Sequence, residues 1–306
     1  MKEKRPRSFF IISATILAAA AVTIGLLMPN LTSAQQKLAD SLIAKAQRTQ
    51  EAGDSKLYLL YLHEAELVSP ADPRPRSLHG QYYLAAGDYK KAIDIYQDGG
   101  VNPNYAYLGN LALKAQDYSR AARYFDKASR EGLKTQGLAG KAISYFNLKK
   151  ISQGCSLADE AFKLDINNQQ ASRAKAVCVV LSGGEVEDRS LFPELASEQL
   201  ATKRGRAYFL AGSQVLVAAE AELESSPENT PSDWLFLAKL ASSRGEYKKA
   251  AADIEQGLKK SPADWELLHA AVDINELLTE KSGGKERQNY QELAQHFRLL
   301  LQQIPR

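Results

Sequence analysis

"GDYKKAIDIY" (Gly87–Tyr96) and "GEYKKAAADI" (Gly245–Ile254) are the same phrase written twice, 158 residues apart in a chain of 306. Both read Gly, acid, Tyr, Lys, Lys, Ala, and "QDYSRA" (Gln116–Ala121) is a weaker echo. Stations at Gly87, Gln116, Asn147, Gly184, Gly212 and Gly245 are separated by steps of 29, 31, 37, 28 and 33 residues. A period in the range of about 20–50 residues marks a solenoid or propeller rather than one compact core. Apolar residues recur at helical spacing and β-strand alternation is missing, so each period reads as two amphipathic helices.

The recurring letters have physical reasons. Gly87, Gly212 and Gly245 stand where a first helix ends, and a left-handed residue there satisfies the last carbonyls without a Cβ clash. Asp88, Asp117 and Glu246 follow and place negative charge at the start of the next helix. Small residues lie twelve apart in Gly80/Ala92, Gly109/Ala121 and Ala238/Ala250. One member falls on each helix of a pair, so the axes can approach to about 8–9 Å. Tyr96, Phe125 and Ile254 fill the gap towards the next unit. "SPADP" (Ser69–Pro73), "LDINN" (Leu164–Asn168), "SPEN" (Ser226–Asn229) and "SPADW" (Ser261–Trp265) close units, with proline ending one helix and Asp or Ser capping the next.

At this point the chain resembles the tetratricopeptide repeat (TPR) family. Pro231–Asp264 carries Trp234, Leu237, Ala238, Gly245, Tyr247, Ala250, Ile254, Gly257 and Pro262. Pro73–Val101 carries Gly80, Tyr83, Gly87, Tyr89, Ala92 and Tyr96, and the next unit Leu108, Gly109, Tyr118, Ala121, Phe125 and Ala128. The resemblance implies an all-α, right-handed superhelical solenoid of seven to eight units over residues 37–306. "EVEDRSLFPEL" departs from the pattern. Glu185–Phe192 reads as a loop and Pro193 as the first turn of a helix running to about Leu210, which places a break near 183–193.

The N-terminus is of another kind. Residues 1–7, "MKEKRPR", carry four cations and one acid, which accounts for the whole net charge of +3 and leaves the remaining residues neutral. A neutral body excludes a global nucleic-acid footprint. Ser8–Met28 contains no charge in 21 residues, enough helix for about 30 Å, the thickness of a bilayer core. It reads as a transmembrane signal-anchor. The alternative is a cleaved signal, since "TSA" (Thr32–Ala34) resembles a processing site. Residues 1–7 then stay in the cytoplasm, 29–36 form a linker, and the solenoid is extracytoplasmic.

Cys155 and Cys178 lie equidistant from the turn "LDINN" and so level on two antiparallel helices, within reach of a disulfide. The four histidines are scattered with no partner at metal spacing, and no nucleophile elbow or phosphate-binding loop is present. Neither a catalytic site, a cofactor nor a metal is expected. What remains is surface: first helices line a concave face, with Gln81, Asn110, Lys114, Lys141, Tyr145 and Lys239 as candidate partner-binding residues. Ser77 and Ala106 stand where the family's carboxylate-clamp lysines stand, so that mode is not expected. The resemblance implies a membrane-anchored scaffold or adaptor for other proteins, with a role in assembling an envelope complex. The alternatives are a fixed subunit of a large complex and a secreted repeat protein.

Overall fold

The computed structural model describes residues 33–98, 105–183, 198–227 and 229–304. Among them the chain is helical and contains no strand. The helices are α1 (33–51), α2 (Ser55–Val68), α3 (Pro73–Ala85), α4 (Tyr89–Asp98), α5 (Tyr105–Lys114), α6 (Tyr118–Arg130), α7 (Lys134–Asn147) and α8 (Ile151–Leu164). There follow α9 (Gln169–Ser182), α10 (Lys203–Gly212), α11 (Leu216–Glu224), α12 (Pro231–Ser243), α13 (Tyr247–Lys260), α14 (Trp265–Lys281) and α15 (Gly284–Gln303). Residues 33–36, expected as linker, are helical. None of these helices is long and apolar enough to cross a membrane. The stretch Ser8–Met28 lies outside the described residues, as does most of the expected break at 183–193.

The repeat is set at the turn inside each helix pair. A left-handed residue sits there at Gly53, Gly87, Gln116, Lys149, Gly183, Gln214 and Gly245, in steps of 34, 29, 33, 34, 31 and 31 residues. In each of the six turns whose next residue is described, that residue's amide closes the helix end by donating to a carbonyl five residues back. Examples are Asp88 N to Tyr83 O at 2.9 Å, Lys150 N to Tyr145 O at 2.8 Å and Val215 N to Leu210 O at 2.8 Å. This is the Schellman closure, which satisfies carbonyls the helix leaves open. Three stations move relative to the sequence expectation. The left-handed residue is Lys149 rather than Asn147, Gly183 rather than Gly184, and Gln214 rather than Gly212. Glutamine and lysine carry no glycine-like signal, yet closure by the following amide holds them at positive φ.

From the true stations the small pairs follow with one offset. Gly80/Ala92, Gly109/Ala121, Ala142/Gly154, Ala207/Ala219 and Ala238/Ala250 are all buried. A Cβ added at Gly109 would come within 2.8 Å of the Phe125 ring, and one at Gly140 within 2.3 Å. Phe125 is therefore wedged between α5 and α7, joining its own pair to the next. Full burial of such a ring stabilises by about 2–3 kcal/mol. At Gly137 the clash would be with backbone, the Phe125 carbonyl and the Ser129 amide at 2.6 Å, so α6 and α7 touch main chain to main chain.

Caps start the helices as expected in most places. Asp54, Asp117 and Asp264 accept from the amides of Leu57, Arg120 and Leu267, and Asn168 accepts from Gln170 and Ala171. Glu246 makes no such bond to the helix and pairs with Arg244 instead. The part of the helix expected from Pro193 to Leu210 that precedes Glu198 lies outside the described residues, and α10 begins at Lys203. Glu198–Ala201 is a 3-10 turn and the Thr202 hydroxyl caps the Gly205 amide, which resets the helix start.

Contacts group the chain into two compact units divided at Pro103–Asn104. In the second, α8 and α9 are joined by a disulfide between Cys155 and Cys178, with Cα atoms 5.1 Å apart.

Candidate partner-binding faces

The inner face of the second unit is built by α5, α7 and α9. Asn110 and Leu113 come from α5, Ala139 and Ile143 from α7, Gln170 and Arg173 from α9. This face is occupied by the chain itself. The α10–α11 turn, Gly212–Ser213–Gln214, sits against it and leaves a cleft of about 180 Å³. Asn147 holds the turn from both sides. Its Nδ2 donates to the Gln214 carbonyl at 2.8 Å and to its own helix at Ile143 O, while its Oδ1 accepts from the Val217 amide at 3.2 Å. Arg173 donates to the Gly212 carbonyl at 3.3 Å. Val215 and Ser213 are buried in the contact.

A second seam lies where the α5–α6 turn meets α11–α13. Gln116 Nε2 donates to Ser243 Oγ at 2.5 Å. Burial pushes the Tyr118 hydroxyl up to about 12, with Arg244 and Glu220 as its charged neighbours. Glu220 is nearly buried and accepts from Arg244 at 2.7 and 2.9 Å and from Lys249 at 2.5 Å. Burial acts to raise the Glu220 carboxyl, but the bonds from Arg244 and Lys249 outweigh it and hold it low. Asp253 is the exception: it is 9% exposed and its Oδ2 has no hydrogen-bond partner among the described residues. Burial pushes its carboxyl up to about 6.

The candidate residues scatter over these surfaces. Asn110 lines the inner cleft. Lys114 and Lys239 are exposed on α5 and α12, and Gln81 is exposed on α3 in the first unit. Lys141 turns to α6 and pairs with Asp126 at 2.6 Å, as Lys175 on α9 pairs with Asp159 on α8 at 2.5 Å. The Tyr145 ring lies between Lys141 and Lys150, at 5.8 and 5.3 Å from its centre. The two-residue move of the station from 147 to 149 explains this placement. Two residues are about 200° around a helix, so Ala139, Ile143 and Asn147 face inward in place of Lys141 and Tyr145. Sequence reasoning missed Asn147, whose one signal was a polar side chain in the last turn of a helix with apolar neighbours, Phe146 and Leu148.

The first unit has an open cleft of about 560 Å³ between α1 and α3. Ile43, Ala44 and Leu78 give it an apolar wall, and Gln47 and Ser77 supply hydrogen-bonding groups. Its rim is charged and fixed. Arg74 reaches Asp40 at 2.6 Å and Asp72 at 2.7 Å, and Gln36 donates to Asp72 at 3.1 Å. The bond from Arg74 is the main force holding the Asp72 carboxyl down at about 2. Among the described residues no three His, Cys, Asp or Glu side chains group so as to hold a metal ion.

Fold and surfaces together define a helical-hairpin repeat protein whose potential sites are clefts between first helices. No protein-family model and no curated protein sequence matches the chain. Among solved structures it is similar to a tetratricopeptide repeat protein from Parabacteroides merdae, at TM-score 0.45 and 16% identity over 86% of this chain and 99% of that one. It is also similar to Pseudomonas aeruginosa pilF, at TM-score 0.31 and 13% identity over 85% of this chain and 99% of that one. A third is a chain of the APC/C hetero-tetramer Cut9–Hcn1, at TM-score 0.27 and 15% identity over 87% of this chain and 54% of that one. The repeat architecture rests on the turn and packing geometry above, not on these likenesses.

Proposed function

We propose that the protein is a binding scaffold that takes a segment of another protein in the α1–α3 cleft of its first unit. The observation that carries this is a contrast between two inner faces. The α5–α7–α9 face is narrowed by the chain's own α10–α11 turn to a cleft of about 180 Å³, whereas the α1–α3 cleft keeps about 560 Å³. An apolar wall with a fixed charged rim suits a helix or extended segment that buries apolar side chains and meets Arg74 or Asp40 with its polar groups. We propose further that Ser8–Met28 anchors the chain in a membrane with the repeats outside the cytoplasm. Support comes from the uncharged length of that stretch, the cations before it, and a disulfide that suits an oxidising compartment. Assembly of an envelope complex is the role such a scaffold would serve.

A photo-crosslinking residue at Gln47 of the full chain, used in intact cells, tests this. The expected result is a discrete adduct with another protein that disappears when Ile43 and Leu78 are changed to glutamate. No adduct at Gln47 together with one at Lys239 would reject the cleft as the site. A single adduct of fixed stoichiometry on every copy would favour a permanent subunit over an exchangeable adaptor.

A further inference from the structure

The outward side of the first helix pair is apolar and basic at once. On α2 the exposed positions Lys56, Leu57, Leu60, His63 and Leu67 recur at helical spacing and form one stripe. Its three leucines are 39, 48 and 67% exposed. The opposite side of α2 is the packed one: the Tyr58 hydroxyl donates to Leu78 O, and Glu66 pairs with His79 on α3. The stripe therefore points away from α3. On α1, Leu38 is 51% exposed and shares one side of the helix with Ser41, Lys45 and Arg48. Lys45 lies 5.8 Å from the Tyr61 ring of α2, so the cations of α1 border the same surface. The α1 stripe contains no carboxylate; the α2 stripe contains one, Glu64, half-buried between Leu57 and Leu60 around the helix and outnumbered by Lys45, Arg48 and Lys56, while Asp40 is taken up by Arg74.

Four exposed leucines rimmed by Lys45, Arg48 and Lys56 need a partner that is apolar in the middle and anionic around it. A bilayer boundary has that composition, with acyl chains beneath acidic headgroups. Chain length points to the same occupant. The described part of α1 begins at residue 33, five residues beyond Met28. Five residues reach at most about 18 Å even when fully extended. A repeat tethered that closely to a membrane cannot keep its outward side far from it. We infer that the outer face of α1 and α2 docks on the headgroup region of an anionic bilayer, with Leu38, Leu57, Leu60 and Leu67 at the acyl boundary. This rests on the anchor reading of Ser8–Met28 for its tether and on the exposed stripe for its chemistry. Docked in this way, the first unit turns its outer side to the lipid and leaves the α1–α3 cleft as the face a partner reaches.

The test uses the full chain in vesicles of phosphatidylcholine and phosphatidylglycerol, with Cys155 and Cys178 left paired. An environment-sensitive fluorophore is coupled to L60C, L67C or the distant control K239C. Nitroxide lipids report contact with acyl chains, iodide reports contact with water, and alkaline carbonate extraction reports anchoring separately. The expected result is several-fold stronger lipid quenching at positions 60 and 67 than at 239, weakened when phosphatidylglycerol is left out. Iodide access at 60 and 67 equal to that at 239, in chains that resist carbonate, would overturn the docking and leave the anchor standing. Lipid quenching at 60 and 67 in chains that carbonate extracts would retain the docking and remove the anchor. Crosslinks between position 60 of two copies in place of lipid quenching would also overturn it, in favour of a dimer.

Discussion

Asn147 and Gln214, 67 residues apart, are joined by a hydrogen bond of 2.8 Å from side-chain amide to backbone carbonyl. The bond narrows the inner face of the second unit with the chain's own turn. Replacing Asn147 with alanine leaves the Gln214 carbonyl and the Val217 amide without this partner in a buried contact. The expected loss is about 2–3 kcal/mol, the usual cost of orphaning buried polar groups. Urea unfolding measures it. Faster hydrogen exchange at the Val217 amide would locate it, and unchanged exchange there would argue against the pairing.

Gly137 and Gly212 should respond in opposite ways to alanine. At Gly137 a methyl group meets backbone at 2.6 Å, so α6 and α7 must separate. A loss of more than about 2 kcal/mol is expected, above the usual overpacking cost for one methyl because main chain cannot rotate away. Gly212 ends α10 with nothing within 4 Å of the added group and without a positive φ. There alanine should be neutral or gain up to about 1 kcal/mol from the unfolded state. Thermal midpoints of the two variants, compared side by side, are the measurement.

Ala121 is fully buried where α5 and α6 approach, opposite Gly109. Ala121→Leu should overpack the contact by about 1–3 kcal/mol. A melting midpoint that does not move would mean that the small-residue pair does not set the helix spacing.

Asp253 makes stability depend on pH in a stated direction. Its carboxyl is raised from an ordinary 3.8 to about 6 by burial. Lys249 and Arg244 pull it down, and Glu224 and Glu220 push it up. Between those two values the folded chain binds more protons than the unfolded one, so stability falls as pH rises through that window and the penalty is complete above it. Asp253→Asn should therefore stabilise by about 1–3 kcal/mol at pH 8 and by nothing near pH 4. Chemical unfolding at both values checks the sign, and an equal effect at both would refute a charge-based origin.

Cys155 and Cys178 enclose a loop of 23 residues in sequence separation. Closing a loop of that size contributes about 3 kcal/mol through the unfolded state. Protein purified without reductant should contain no free thiol by mass spectrometry, and reduction should lower the unfolding midpoint accordingly. Two free thiols in exported material would exclude the bond.

Much of this could be read from residues alone because the signals are local. A helix end, its cap and the small pair twelve residues apart all fall within one hairpin, so Gly87 with Asp88 and Gly109 with Ala121 declare themselves. The cysteine pairing is of the same kind, two positions level across a single turn. The register slipped by two residues at two of the three turns whose left-handed residue is not glycine, Gln116 being the one read correctly. At Lys149 and Gln214 the positive φ is held by Schellman closure, and no side chain announces it.

The sequence by itself determined that the chain folds into paired helices, where most pairs turn, and which small residues let them touch. Only the tertiary structure decided which helix face looks inward, that a turn 67 residues away from Asn147 narrows that face, and that Asp253 is stranded among charges. The physical reason is accumulation. Each pair adds a small rotation set by its packing, and whether the α10–α11 turn reaches α7 depends on the sum of those rotations, which no single hairpin encodes.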